Sequence, residues 1–101
     1  MKRGKDSGST SGMQHLRVTY HGQVQGVGFR WAVKALADSL ALVGWVRNES
    51  DGTVLLTVQG DRDRVAHLLE GIDSRFAGYI TDKRMQESVD LDVESSFEIR
   101  R

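Results

Sequence analysis

A cation gains nothing electrostatically from standing at the start of a helix, yet this chain places an arginine there. The stretch is Gly22-Gln23-Val24-Gln25-Gly26-Val27-Gly28-Phe29-Arg30. Backbone N–H groups in the first turn of a helix have no intrahelical acceptor, and the macrodipole makes that end positive. Such a place attracts anions, and glycines let the backbone close around one. Arg30 is disfavoured beside those amides unless an anion sits between them. The residue types and their order therefore point to a ligand the size of a phosphate.

The elements around the loop are legible from periodicity. Leu16, Val18 and Tyr20 alternate with Arg17, Thr19 and His21, which predicts a half-buried strand. After the loop, Val33, Leu36, Ala37 and Leu40 fall at helical spacing, which predicts an amphipathic helix over Phe29 to Leu40. A second strand is predicted over Leu42 to Asn48, and Glu49-Ser50-Asp51-Gly52 reads as a hairpin turn into a third strand through Val54, Leu56 and Val58. Asp61 suits an N-cap, and Val65, Leu68, Leu69 and Ile72 predict a second helix over Arg62 to Ile72. Tyr79 to Glu87 reads as a charged edge strand, residues 88–95 as an acidic loop, and Phe97 with Ile99 as a closing strand. The order is strand, helix, strand, strand, helix, strand, plus the closing strand. It predicts an α+β fold of the ferredoxin-like, split βαβ type: an antiparallel sheet with both helices on one face. Phe29 and Trp45 read as core residues that could also shape a pocket rim. Trp31 lies off the apolar stripe and reads as covering an edge.

Composition narrows the function classes. The chain has 101 residues and 39% hydrophobic content, enough for one small domain. Residues 1–12 read as a polar, disordered tail and residues 13–101 as the domain. With no cysteine, disulfides, thiolate metal sites and cysteine nucleophiles are excluded. Fourteen basic residues balance fourteen acidic ones, which disfavours a broad polyanion-binding surface but leaves room for a local positive pocket. No apolar run reaches the roughly 18 residues of a membrane helix, and no secretory signal is evident. His15, His21 and His67 show no ligand spacing, and the acidic run Glu87 to Glu94 reads as a solvated loop. The expectations are a cytoplasmic monomer without metal or cofactor and without a nucleic-acid or membrane partner.

A second segment, Gly44-Trp45-Val46-Arg47-Asn48-Glu49-Ser50-Asp51-Gly52-Thr53-Val54, adds the decisive pattern. Together with Gly22 to Arg30 it resembles the two signature motifs of the acylphosphatases, in their order and spacing. The resemblance runs from about Leu16 to Arg101, and Phe97-Glu98-Ile99-Arg100 is similar to the family's closing strand. It implies hydrolysis of small acyl phosphates to a carboxylate and inorganic phosphate. It also implies that Arg30 binds phosphate, that Asn48 positions the attacking water, and that Gln25, Gly26, Val27, Gly28, Phe29 and Arg30 form the cradle around the phosphoryl oxygens.

That chemistry is coherent with the residue types. Phosphoryl transfer needs positioning and charge stabilisation more than a strong nucleophile. The planar guanidinium fork suits phosphate oxygens, and an amide can accept a hydrogen bond from water without acting as a strong base. The implied reaction is in-line attack by water, with the proton passing to the substrate phosphate. A single loop offers few contacts to the acyl group, so broad acyl tolerance is expected. Gln23 stands where the family commonly has arginine or lysine, and Ala41 where the first helix commonly ends in glycine. An αL conformation at Ala41 would cost about 1 kcal/mol relative to glycine. Two other readings compete. A module of this kind could bind acyl phosphate without turning it over. Ferredoxin-like sheets also bind RNA, but that needs exposed sheet aromatics and a basic surface. The third strand carries no aromatic residue.

Overall fold

Seven elements form in the predicted order, in a computed structural model that describes residues 12–88 and 95–101. They are β1 (Met13–Gly22), α1 (Phe29–Ser39), β2 (Val43–Asn48), β3 (Val54–Asp61), α2 (Arg62–Arg75), β4 (Ile80–Glu87) and β5 (Phe97–Arg100). The tail read over residues 1–12 lies outside the described residues except at Gly12. The acidic loop read over 88–95 lies outside them except at Ser88 and Ser95.

The sheet order is β4-β1-β3-β2-β5. Pairing is antiparallel for β1 with β3, β1 with β4 and β2 with β3. The closing strand departs from the all-antiparallel expectation, because β5 runs parallel to β2. β4 and β5 lie at opposite edges of the sheet, so the closing strand pairs with β2 and not with the strand before it in sequence. Register places Leu16, Val18 and Tyr20 opposite Val58, Leu56 and Val54. These side chains share one face of the sheet, where both helices pack, and all six are buried in a single apolar cluster.

The helices are anchored for identifiable reasons. Asp61 caps α2, its side chain accepting from the N–H groups of Asp63 and Arg64. Val65, Leu68 and Ile72 bury the inner face, and α2 continues three residues past the predicted end at Ile72, to Arg75. In α1, Phe29, Ala32, Val33 and Ala37 are buried, and Leu36 and Leu40 pack against the cluster's margin. Phe29 meets Tyr20 edge-on at 5.1 Å and lies 4.8 Å from Phe76. Burying one such ring is worth roughly 1.5–3 kcal/mol, and it fixes where the helix begins. The other end of α1 closes as a Schellman motif: the Leu42 N–H donates to the Ala37 carbonyl and the Ala41 N–H to the Asp38 carbonyl. Ala41 takes φ 56°, the strained αL position normally given to glycine.

Trp45 is buried at 6% exposure, but it is not part of the helix-side cluster. Strand alternation puts it on the opposite sheet face from Val46. There the guanidinium groups of Arg47 and Arg100 cover its ring at 4.8 and 5.0 Å.

Candidate active site

The segment between β1 and α1 begins with Gly22 at φ 124° and includes Gly26 at φ 79° and Gly28 at φ 80°. Gly28 is the N-cap of α1 and offers no side-chain cap. A Cβ at Gly26 or Gly28 would meet nothing within 4 Å. Left-handed backbone, not crowding, is what requires glycine at these two positions. The loop is tied down at its start, where the Gln23 N–H donates to the Tyr79 carbonyl at 2.8 Å. Among the described residues, no carbonyl or side chain accepts from the N–H groups of Gly26 through Arg30. These are the orphan donors of a helix start, free to face a ligand.

Arg30 sits in the first turn of α1. Its Nη1 donates to the Arg100 carbonyl on β5 at 3.2 Å, which uses part of the guanidinium and orients the rest. Lys34, one turn later, makes a parallel tie to the Phe97 carbonyl at 3.0 Å. The closing strand therefore acts as a rail for the exposed edge of α1.

Asn48 is the last residue of β2 and shares the helix-side face with Val46 and Gly44. Its Oδ1 is buried and accepts no hydrogen bond among the described residues. The loop and the Asn48 strand end are joined by Gln25, whose Nε2 donates to the Glu49 carbonyl at 2.8 Å and to the Thr53 carbonyl at 2.9 Å. Both amide hydrogens of Gln25 are spent on the two ends of the β2–β3 turn. That turn is braced by Asp51, whose Oδ1 accepts from the Thr53 hydroxyl at 2.6 Å and the Thr53 N–H at 3.0 Å. These bonds hold the Asp51 carboxyl below its usual range, and the nearby His21 pulls in the same direction.

A pocket of about 220 Å³ opens where these pieces meet. It is lined by Val24, Gly26, Gly28, Phe29, Arg30, Trp31 and Asn48. The size is below the ≈ 300–1,000 Å³ of pockets for drug-sized ligands and suits a small anion. Of the predicted cradle residues, Gly26, Gly28, Phe29 and Arg30 line it together with Asn48. The Gln25 side chain turns away to the hairpin, and Val27 is 39% exposed. Among the described residues that line it, Arg30 is the sole ionisable group, and none carries a hydroxyl, thiol, imidazole or carboxylate. Among the described residues, no group of three His, Cys, Asp or Glu side chains is placed to hold a metal ion. No helix there is long and apolar enough to cross a membrane.

Two contributors were not foreseen from the sequence. The Gln25 side chain is a strut between the two motifs, a role that needs the tertiary pairing to be visible. Trp31, read as an edge cover, is 70% exposed on the pocket wall. Its position next to Arg30 in a first helical turn was the available signal.

Comparison with known proteins points to one family. The acylphosphatase family model matches residues 16–99. The chain is 38% identical over 91 residues to an acylphosphatase of Oceanobacillus iheyensis, covering 87% of this chain and 99% of that one. It is 39% identical over 89 residues to an acylphosphatase of Bacillus licheniformis, covering 86% and 98%. The crystal structure of acylphosphatase from Bacillus subtilis superposes with a TM-score of 0.78 at 31% identity, covering 88% of this chain and 99% of that one.

Proposed function

The chain belongs to the acylphosphatase family and is a hydrolase of acyl phosphates, and from that premise we propose how its own residues perform the reaction. The phosphoryl group seats at the start of α1, its oxygens taking the free N–H groups of Gly26 through Arg30 and the outward donors of the Arg30 guanidinium. The loop amides and the guanidinium are charge-complementary to the anion from two sides, which resolves the conflict between Arg30 and the helix dipole. Water is oriented by the Asn48 side-chain amide, is aimed in line with the scissile P–O bond and attacks phosphorus. The P–O bond to the acyl oxygen breaks as the new one forms, and the carboxylate leaves as a stable anion. The water's proton passes to a phosphoryl oxygen, since none of the described lining residues is a base.

One observation carries this reading: Gly26, Gly28, Arg30 and Asn48 line one small pocket, and among the described residues none that lines it is a nucleophile. None of the described lining residues could carry a covalent phosphoenzyme, which favours direct attack by water. Residues 13–101 form the catalytic domain in this proposal, and residues 1–12 a polar tail. RNA binding gains no support from the sheet face, because Trp45 is covered by two guanidinium groups and cannot stack with a base.

The test is phosphate release from benzoyl phosphate in EDTA by the wild-type chain, Arg30→Ala and Asn48→Ala. Rapid release by wild type, lost in both variants, is expected. A folded wild type that binds phosphate and releases none would turn the proposal into a binding module. Full activity of either variant would remove that residue's assigned role, and loss of activity in EDTA would reintroduce a metal.

A further inference from the structure

We propose that Trp31 is a specificity-determining residue, its indole contacting the acyl group of the bound substrate and favouring flat aryl acyl phosphates over acetyl phosphate. This rests on the phosphoryl seating described above. With the phosphoryl group held by Arg30 and the loop, the acyl group must point out through the pocket mouth. Trp31 follows Arg30 directly in the first turn of α1, where each Cα–Cβ bond tilts back toward the helix N-terminus. Its side chain therefore leans toward the loop, and it lines the pocket.

The two tryptophans of the chain make the contrast. Trp45 is 6% exposed and stacked under Arg47 and Arg100, whereas Trp31 is 70% exposed. Among the described residues, neither the aromatic pairs nor the cation–π contacts include Trp31. Single exposed apolar side chains are ordinary on a protein surface. This one differs in its place, on the wall of the same pocket that Arg30 lines. The other aromatic on that wall, Phe29, is 1% exposed and committed to the core. A phenyl ring on the substrate carbonyl extends far enough to stack on the indole, while the methyl of acetyl phosphate offers little face to cover. The preference is modest and leaves many acyl groups as substrates.

The experiment compares kcat/KM for benzoyl phosphate and acetyl phosphate in wild type, Trp31→Ala and Trp31→Phe. The benzoyl-to-acetyl ratio is expected to fall about 3- to 10-fold in Trp31→Ala, the range of one aromatic stacking contact, and to be largely kept in Trp31→Phe. A ratio that does not move in Trp31→Ala overturns the proposal. Binding of phenacylphosphonate and acetonylphosphonate, which carry the same groups on a non-hydrolysable link, is measured alongside. If wild type hydrolyses neither substrate, the reading of the site as catalytic fails. The phosphonate affinity ratio then decides Trp31 alone: a fall in Trp31→Ala supports the contact, and an unchanged ratio overturns it.

Discussion

Two glycine-containing connections are joined by the Gln25 side chain, and they handle their backbone groups in opposite ways. The β2–β3 turn is closed on itself. The Glu49 N–H donates to the Thr53 carbonyl, the Gly52 N–H to the Glu49 carbonyl, and Asp51 caps Thr53. The β1–α1 loop is anchored at Gln23 and then leaves the N–H groups of Gly26 through Arg30 without a protein acceptor among the described residues. A turn that satisfies its own polar groups is a structural joint. A loop that leaves its donors unpaired beside a small pocket is what the proposed phosphoryl seat requires. Glycine content does not separate the two. The destination of the hydrogen bonds does, and Gln25 couples them by bridging from the open loop to the closed turn.

The comparison breaks most visibly if the open loop can lose its cation without consequence. Arg30→Ala is expected to lower kcat/KM for an acyl phosphate by about 1,000-fold or more, with little recovery in Arg30→Lys, which lacks the planar fork. Steady-state phosphate release checks both. Asn48→Ala should lower kcat by about 100-fold while inorganic phosphate inhibits as before, because the residue is assigned to water rather than to the anion. Equal losses in turnover and phosphate affinity would move Asn48 into the cradle.

Gln25 tests the coupling itself. Gln25→Ala should cost about tenfold in kcat/KM through misplacement of loop and strand end. It should also cost about 1 kcal/mol of stability in denaturant unfolding, since the Glu49 and Thr53 carbonyls each keep one backbone donor. Unaltered activity would show that loop and turn hold their places independently.

Ala41, at the far end of α1, sharpens the contrast as a strained position outside both connections. Ala41→Gly relieves the αL strain and should stabilise the domain by about 1 kcal/mol, raising Tm by about 4–8 °C with kcat/KM unchanged. The smallest effect belongs to the closed turn. Asp51 has a lowered folded-state pKa, so its contribution is present above its unfolded value of about 3.9 and is lost as pH falls through the folded value. Asp51→Asn should therefore lower stability slightly at neutral pH and flatten the fall of the profile below about pH 4, so that the two chains converge in acid. A profile identical to wild type would remove Asp51 as a brace.

Much of the fold was legible because period and caps were unambiguous. Alternation in β1, the helical stripe of α1 and the Asp61 cap each follow from local chemistry, and the structure agrees within a few residues. The longer α2 was missed because Asp73 and Arg75 extend a helix without adding an apolar residue to count. The parallel pairing of β5 was missed because the sheet edge a returning strand takes is a long-range choice.

What the sequence determined alone was the kind of chemistry. A glycine loop that delivers an arginine to a helix start points to an anion ligand, through dihedral and dipole constraints that act within ten residues. The placement of Asn48, the strut made by Gln25, the tie of Arg30 to the Arg100 carbonyl and the outward position of Trp31 were decided only by the tertiary structure. Each joins groups distant in sequence or depends on which side of an element faces the pocket. Those relations exist only once sheet register and helix packing have set them.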